Sequence, residues 1–384
     1  MPVLILLECK QKKEFGDKAG NYICVKNVRL MKRLAFCIEG LYNAAGMERV
    51  LTKKANALCH DYDITIIIRQ QHGRPNAFPL DTAVRTIDLD SDIPHYEERL
   101  REVLMREHFD IVTTMGGYEM YFLYRIKDGS KKVFEFHFSF DISKVWLAGI
   151  HNPLKRWLWV RLQTWRRIFI ARHYDRLVVL CKADERKWRR YTRKVVTIYN
   201  PLMIHPDRTA ACHNHVAIAV GRLDYQKGFD YLIDSWKIVA DKHPDWRLNI
   251  YGEGELRNSL QKQIDQNGHH DKVTLCGRTD NIMEKYLESS IFVLSSRDEA
   301  FGLVITEAEA CGLPVVTFAC PNAPAELVDD GCNGYVIPRV GDVETMAARI
   351  CELIEDNSLR KSMGKHSVAF VERFKEALIP QLSA

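Results

Sequence analysis

Short apolar runs alternate with longer amphipathic segments from Leu34 onward. Such runs are typical of strands buried on both faces of a parallel sheet, and amphipathic segments are typical of the helices that cover it. The predicted strands are Leu34–Ile38, Ile64–Ile68, Val84–Leu89, Ile111–Met115, Val133–Phe136, Leu177–Leu180, Val195–Ile198, Val216–Val220, Arg247–Tyr251, Lys272–Leu275, Ile291–Leu294 and Pro314–Thr317. The predicted helices are Met47–His60, Tyr96–His108, Leu154–His173, Phe229–Lys242, Glu255–Asn267 and Leu303–Cys311. The alternation predicts an α/β fold with doubly wound parallel sheets.

The length of 384 residues and one break in the pattern predict two such domains. Residues 201–214 contain two prolines and no clear period, which indicates a linker between an N-terminal domain, 31–200, and a second domain, 215–365. Residues 366–384 are a candidate C-terminal helix that crosses back to the first domain. Because ligands of parallel sheets bind at the carboxyl ends of the strands, two facing Rossmann-like domains predict a cleft between them.

Residues 1–30 do not share the pattern of the rest of the chain. The stretch from Lys10 to Lys18 is polar and charged, and no periodicity links it to the first predicted strand. We therefore expect a non-native or disordered extension, a fold that begins near Lys32, and Met31 as a candidate initiator.

The composition indicates a soluble globular protein, with 46% hydrophobic and 27% charged residues. A net charge of +5 gives no indication of nucleic-acid binding. The 11 cysteines form no C-x-x-C pair, which argues against a disulfide framework and a structural zinc site and favours the cytoplasm. The segment Cys212-His213-Asn214-His215 lacks a fourth metal ligand and is interpreted as linker. No apolar run is long enough to span a bilayer.

Two glutamates frame the start of a predicted helix. Glu299 lies in the loop after the strand Ile291–Leu294, and Glu307 lies within the helix that opens near Phe301 and Gly302. Spaced carboxylates can accept hydrogen bonds from hydroxyls at two places on one ligand, while free amides at the helix start meet a phosphate. The alternative interpretation is a solvated helix start with acidic residues near its positive end.

An arginine and a lysine follow the first strand of the second domain. Arg222 and Lys227 leave the carboxyl end of Val216–Val220, where anionic ligands of parallel sheets bind. Fixed cations there would neutralise a departing diphosphate, whereas the alternative is ordinary surface charge.

The ordered motifs of the second half resemble glycosyltransferase family 4, which has the GT-B architecture. The motifs are Gly221-Arg222-Leu223-Asp224-Tyr225-Gln226-Lys227-Gly228, the stretch from Glu299 to Glu307, Cys311-Gly312-Leu313-Pro314-Val315-Val316, Pro321-Asn322-Ala323-Pro324-Ala325-Glu326 and Asp329-Asp330-Gly331-Cys332-Asn333-Gly334-Tyr335. Ala300 and Ala323 depart from the glycines usual in the family, and each adds a methyl group near backbone that needs glycine's conformational freedom. The departures bear on specificity for the donor sugar.

The resemblance implies a role for each matching residue. Arg222 and Lys227 would bind the donor diphosphate, Glu299 the hydroxyls of the transferred sugar, and Glu307 the ribose. Backbone amides of Phe301, Gly302 and Leu303 would contact sugar and phosphate, and Arg278 would lie near the nucleobase. No cofactor or metal is expected, because the basic pair and the helix start replace it.

Two features of the N-terminal half complete the expected site. Gly46 opens a helix after the first strand, either for close approach of a ligand or as a plain turn. His137 follows the strand Val133–Phe136, and the resemblance makes it a cleft residue beside the sugar rather than a structural histidine. Loops 69–80 and 116–125 are expected to contact the acceptor.

Residues 151–173 contain six Lys or Arg, three Trp and no acidic residue. They indicate either a core-packed helix with a solvated basic face or, as we expect, a peripheral contact with an anionic membrane surface. Asp88-Leu89-Asp90 matches a metal-binding D-x-D motif but is interpreted as a loop after a strand. Gly252-Glu253-Gly254 lacks the third glycine of a dinucleotide-binding fingerprint and is interpreted as a turn.

The resemblance implies the activity of a retaining glycosyltransferase that acts through Glu299, His137, Lys227 and Arg222. It moves a hexose-type sugar from a nucleotide-sugar, preferably a UDP-sugar, to a hydroxyl of a glycan or lipid-linked saccharide, as in bacterial capsule or lipopolysaccharide synthesis. The alternatives are a nucleotide-sugar epimerase of the same fold and a degenerate nucleotide-sugar-binding subunit.

Overall fold

The structure, a computed structural model, describes residues 31–375. The predicted extension at residues 1–30 lies outside the described residues, as do residues 376–384 of the predicted C-terminal helix. No helix within the described part of the chain is both long and apolar enough to cross a membrane.

The first sheet is built from seven parallel strands, in the order β3-β2-β1-β4-β5-β6-β7. They are β1 (Arg33–Ile38), β2 (Asp63–Ile68), β3 (Arg85–Asp88), β4 (Ile111–Thr114), β5 (Lys131–Glu135), β6 (Arg176–Val179) and β7 (Val195–Thr197). The associated helices are α1 (Gly46–Leu58), α2 (Ile93–Glu107), α3 (Ser143–Trp146), α4 (Pro153–His173) and α5 (Lys182–Trp188). Short 3-10 turns cover Tyr118–Tyr121 and Leu123–Arg125.

The second sheet is built from six parallel strands, in the order β10-β9-β8-β11-β12-β13. They are β8 (Val216–Val220), β9 (Arg247–Tyr251), β10 (Val273–Gly277), β11 (Ile291–Leu294), β12 (Val315–Phe318) and β13 (Gly334–Ile337). The helices are α6 (Phe229–Lys242), α7 (Arg257–Gln266), α8 (Ile282–Leu287), α9 (Leu303–Ala310), α10 (Pro324–Leu327), α11 (Val343–Glu355) and α12 (Asn357–Val371). Tyr225–Lys227 and Glu372–Phe374 form 3-10 turns.

Both sheets reverse their strand order at one point. The reversal falls between β1 and β4 in the first sheet and between β8 and β11 in the second. Loops leaving the carboxyl ends of such a pair diverge and open a crevice, which is where ligands of doubly wound sheets bind. The predicted fold of two doubly wound α/β domains is confirmed, and each domain has one such crevice.

A hydrophobic cluster joins the two domains beside the segment that connects them. Residues 198–215, all of them described, contain neither helix nor strand. Leu180 and Leu202 pack in one buried cluster with Phe301, Ile305 and Phe374 of the second domain. The end of the described chain therefore packs against the connecting segment, where the backbone N–H of Leu202 donates to the carbonyl of Phe374 at 3.2 Å.

The pattern analysis missed one strand and several helices. β13 and the short helices α3, α5, α8 and α10 extend over too few residues to show a period. The 13-residue helix α11 was also missed, although its buried residues recur at helical spacing. The C-terminal helix begins at Asn357 rather than near residue 366. Its packed side uses Gly364 and Ser367, and a Cβ on Gly364 would lie 2.2 Å from the carbonyl oxygen of Gly312. Close backbone packing of this kind leaves no apolar stripe in the sequence.

Candidate active site

Lys227 and Glu299 meet at the carboxyl ends of β8 and β11. Nζ of Lys227 lies 2.5 Å from Oε1 of Glu299, which also accepts a hydrogen bond of 2.8 Å from Oγ of Ser296. Both side chains are largely buried, at 15% and 8% exposure. A Cβ on Gly228, which has φ +63°, would lie 2.2 Å from the carbonyl oxygen of Ser295. Only glycine therefore allows the loop after β8 to approach the loop after β11 so closely.

Helix α9 begins beside this ion pair. Gly302 precedes it with φ 92°, and no side chain caps its first N–H groups. Uncapped amides at a helix start are a binding site for phosphate or carboxylate oxygens. The Phe301 side chain is buried, with its ring 6.2 Å from that of Tyr199, so Phe301 can offer a ligand only its backbone.

The two arginines predicted to bind the donor occupy different positions. Arg222, on the loop after β8, is 72% exposed and lies 3.1 Å from Oδ2 of Asp224. Arg278 is exposed directly after β10, the edge strand of the sheet, with β9 between it and β8. Arg222 thus lies on the same loop as Lys227, whereas Arg278 follows a strand two positions away from β8 in the sheet.

Glu307 is engaged by the opposite domain. Nη1 of Arg49, in the first turn of α1, lies 2.6 Å from Oε1 of Glu307, and the Tyr286 hydroxyl donates to Oε2 at 3.3 Å. Burial raises the pKa of Glu307, and Arg49 opposes that effect. The sequence motifs assigned no role to Arg49. It follows Gly46 by three residues and therefore lies on the same side of α1 as Gly46.

Gly46, in the first domain, faces the start of α9 in the second domain. A Cβ on Gly46 would lie 3.4 Å from Cδ1 of Leu303. Since a methyl group there would sit in ordinary van der Waals contact with Leu303, glycine leaves the space between α1 and α9 open. The arrangement is compatible with close approach of a ligand.

His137 lies in the loop after β5, beside a buried ion pair. Its Nε2 is 3.1 Å from Oε1 of Glu135 without hydrogen-bond geometry, and Nζ of Lys54 is 2.5 Å from the same oxygen. Burial opposes ionisation of Glu135, but Lys54 and His137 outweigh it and lower the pKa of that carboxyl to about 2. The carboxylate therefore holds a fixed negative charge next to the imidazole.

A second contact between the domains was not visible in the sequence. Oγ of Ser139 donates to Oδ2 of Asp298 at 2.6 Å, and burial raises the pKa of Asp298 to about 7. Asp298 immediately precedes Glu299, but no residue pattern pairs it with a serine from the other domain. This carboxyl therefore titrates near neutral pH, directly beside Glu299 in the loop after β11.

The Pro321–Glu326 segment also contacts the first domain. Nζ of Lys187 donates to Oδ1 of Asn322 at 3.0 Å, and the backbone N–H of Lys182 donates to Glu326 at 2.9 Å. Asn322 has φ 97°, whereas Ala323 has φ −71°. The strained backbone therefore falls on Asn322. Ala300 and Ala323 are both outside the left-handed region, so the expectation that their methyl groups occupy glycine-demanding backbone is wrong.

The segments interpreted above as linker and as turn each contact neighbouring backbone or an acidic side chain. Cys212 is buried and donates to the carbonyl of Gly312, whereas Nδ1 of His215 lies 2.6 Å from Asp245. Within residues 31–375, the group of possible metal donors within 4.8 Å of one another is Cys59, His60 and Asp81, at the end of α1. A Cβ on Gly252 would lie 1.9 Å from the carbonyl oxygen of Gly221, so this glycine permits backbone contact between two strand ends.

Comparison with known proteins identifies the class. Residues 44–203 match the family described as Glycosyltransferase Family 4, and residues 207–368 match glycosyl transferases group 1. An uncharacterized glycosyltransferase of Haemophilus influenzae is 29% identical over 350 residues, which cover 88% of this chain and 94% of that protein. The amylovoran biosynthesis glycosyltransferase AmsD of Erwinia amylovora is 26% identical over 358 residues, with coverages of 87% and 93%.

A solved structure shares the fold at low sequence identity. A mutant of TarM from S. aureus, in complex with fondaparinux, alpha-GlcNAc-glycerol and UDP, superposes with a TM-score of 0.75 at 13% identity, covering 90% of this chain and 97% of that one. This likeness shows the fold, two Rossmann-like domains of the GT-B type. The family models and the relatives show that the chain is a glycosyltransferase enzyme. It belongs to glycosyltransferase family 4, and the resemblance drawn from the motifs is confirmed.

Proposed function

We propose that this enzyme is a retaining hexosyltransferase that uses a UDP-sugar and extends a glycan or lipid-linked saccharide. The observation that carries the proposal is the Lys227–Glu299 ion pair at the uncapped start of α9. It combines a cation for phosphate, a carboxylate for sugar hydroxyls and free amides within one crevice. The UDP in the TarM complex and the name of AmsD, for amylovoran biosynthesis, support a UDP donor and a role in polysaccharide synthesis.

The donor would lie along the carboxyl edge of the second sheet. Lys227 and Arg222 face the diphosphate, with the amides of Phe301, Gly302 and Leu303 on its other side. Glu299 accepts hydrogen bonds from the sugar, Glu307 accepts them from the ribose, and Arg278 lies toward the base. Because Glu307 is paired with Arg49 in the structure, donor binding requires these two side chains to share or rearrange that contact.

The reaction would proceed on one face of the sugar. The acceptor hydroxyl oxygen bonds to the anomeric carbon as the bond from that carbon to the diphosphate breaks. The hydroxyl proton passes to the leaving phosphate oxygen, and UDP departs. Lys227 and Arg222 stabilise the charge that develops on the leaving group, and the contacts between the two domains exclude water. His137, held beside Glu135, would line the sugar from the first domain. The proposal needs no metal or other cofactor.

The proposed activity also implies where in the cell the enzyme works and which loops contact the acceptor. The proposal places the enzyme in the cytoplasm, a reducing compartment in which the free thiols of residues 31–375 would persist. A cytoplasmic enzyme that extends a lipid-linked saccharide works at the inner face of the membrane. Loops 69–80 and 116–125 of the first domain would contact the acceptor.

Ligand-induced stabilisation tests the donor site directly. We would measure the thermal midpoint with UDP, GDP and ADP for the native chain, Lys227→Ala and Lys237→Ala, since Lys237 is an exposed lysine of α6 in the same domain. At a concentration of 100 times the dissociation constant, UDP should stabilise the native chain and Lys237→Ala by about 2.7 kcal/mol. Lys227→Ala should lose most of this effect. An equal response of all three proteins would refute the assigned donor site.

Turnover separates the proposed activity from its alternatives. UDP release should depend on added acceptor and fall at least about 100-fold in Lys227→Ala, as expected when a transition-state contact is removed. An epimerase would convert the UDP-sugar without acceptor. A degenerate subunit would bind the UDP-sugar but release no UDP from it, with or without acceptor. Either result would contradict the proposal, and NMR of the product's anomeric configuration tests retention.

A further inference from the structure

Helix α4 has an apolar face turned away from the protein. Its C-terminal half is anchored in the first domain by the buried residues Arg167, Ile168, Ile170 and Ala171. A second set of large apolar side chains on the same helix is exposed. The set consists of Leu154 (74%), Leu158 (58%), Leu162 (56%), Trp165 (52%) and Phe169 (59%).

These five residues, here called the outer stripe, are spaced by four, four, three and four positions. That spacing places them in one row along a helix, on the side opposite the anchored residues. The alternative drawn from the sequence was a packed helix with a solvated basic face, but the structure exposes an apolar row. A continuous exposed apolar row of this size marks an interaction surface rather than ordinary solvated helix.

The charge and the aromatic residues around the outer stripe indicate which kind of surface would bind it. Residues 151–173 have no acidic residue, and the exposed cations Lys155, Arg161 and Arg166 flank the stripe. Trp157 and Trp159 are exposed at 55% and 43% near the N-terminal end of the helix, and the Arg161 guanidinium lies 4.9 Å from the ring of Trp157. Leucine and tryptophan flanked only by cations are the composition of a helix that lies in an anionic lipid interface.

The same helix borders the crevice side of the first domain. A cavity of about 280 Å³ is lined by Gln163 and Arg166 of α4, by Tyr118 and Tyr121 after β4, and by Phe138 after β5. The loops that line it leave the carboxyl ends of their strands, as the loop carrying His137 does. Helix α4 therefore stands beside the carboxyl edge of the first sheet, the edge at which the His137 loop also lies.

We propose that the outer stripe of α4 docks the enzyme on an anionic lipid bilayer, with the helix lying in the headgroup region. The cations contact lipid phosphates, and the apolar row enters the acyl boundary. This surface goes beyond the proposed activity, because lipid binding can be measured without turnover.

Vesicle co-sedimentation of the full chain tests the proposal. We would compare neutral phosphatidylcholine vesicles with vesicles containing about 30% phosphatidylglycerol, at low and high salt. The native chain should bind the anionic vesicles and dissociate partly at high salt. Leu158→Ser/Leu162→Ser should lower the partition coefficient at least about tenfold, because two leucine side chains no longer transfer from water into the acyl boundary. Lys155→Gln/Arg161→Gln should lower it about tenfold or more on anionic vesicles alone.

The matched control is Ile93→Ser/Met105→Ser, which removes two apolar residues of α2 with similar exposure, 48% and 51%. This variant should bind vesicles as the native chain does, and all variants should keep the native thermal midpoint and the response to UDP. Unchanged vesicle binding by Leu158→Ser/Leu162→Ser would overturn the proposal. A dimer in light scattering that this variant dissociates, without vesicle binding by the native chain, would assign the stripe to a second copy and also overturn it. Retained UDP binding in either case would leave the proposed activity standing.

Discussion

Arg49 and Glu307 form an ion pair between the two domains, with 2.6 Å between Nη1 and Oε1. Arg49 is 27% exposed, whereas Glu307 is 4% exposed. Because a buried carboxylate without a partner is costly, this contact links the position of α1 to that of α9.

A double-mutant cycle measures that link. We expect Arg49→Ala and Glu307→Gln to be coupled by about 1–3 kcal/mol in the free energy of unfolding, since the two groups share one buried contact. Arg101 and Glu97, an exposed pair 3.2 Å apart on α2, should show a coupling of no more than about 0.5 kcal/mol. A coupling at the Arg49–Glu307 pair no larger than at this control would show that the contact does not hold the domains.

The two glutamates of the donor motif should affect different ligands. Glu299→Gln should lower kcat/KM for the UDP-sugar about 10- to 100-fold and leave the affinity for UDP nearly unchanged, because Glu299 is assigned to the sugar. Glu307→Gln should weaken UDP and the UDP-sugar by the same factor, because it is assigned to the ribose. Calorimetric titration and initial rates measure both effects, with the exposed Glu344→Gln as the control. Equal loss of UDP affinity in Glu299→Gln and Glu307→Gln would contradict the assignment.

The space between Gly46 and Leu303 can be filled and reopened. Gly46→Ala should preserve the fold, because the new methyl carbon would lie 3.4 Å from Cδ1 of Leu303. It should lower turnover about tenfold or more if donor atoms occupy that space. Gly46→Ala/Leu303→Ala should recover part of the activity, and its rates are measured alongside both single variants. A double variant no more active than Gly46→Ala would count against a steric cause.

The buried carboxyl of Asp298 predicts a pH-dependent stability. Burial raises its pKa from 3.8 to about 7, so between these values the folded chain binds more protons than the unfolded chain. Stability from this group is therefore full below about pH 4 and is lost as the pH rises through about 7. Asp298→Asn should raise the thermal midpoint relative to the native chain at pH 8 but not at pH 4. The comparison cancels other titrating groups, and a difference that does not change between the two pH values would refute the prediction.

The fold could be predicted because strands that are buried on both faces leave a local record. Val216–Val220 and Ile291–Leu294 have the bounds that the sequence indicated, and so does the half-buried strand Arg247–Tyr251. The edge strand β13 contains glycine and tyrosine over only four residues, and α12 packs through Gly364. Local apolar patterns cannot report elements whose packing depends on backbone contact or on only a few residues.

The sequence by itself determined the family, the two doubly wound domains and the motif residues that lie at the carboxyl ends of β8 and β11. These follow from short-range order, since a strand, its loop and the next helix are contiguous in the chain. Only the tertiary structure decided that Arg49 pairs with Glu307, that Ser139 binds Asp298, and that the apolar stripe of α4 faces outward. Each depends on which surfaces meet when distant segments pack, and residue type constrains that choice weakly where the contact is a single hydrogen bond or an unpacked helix face.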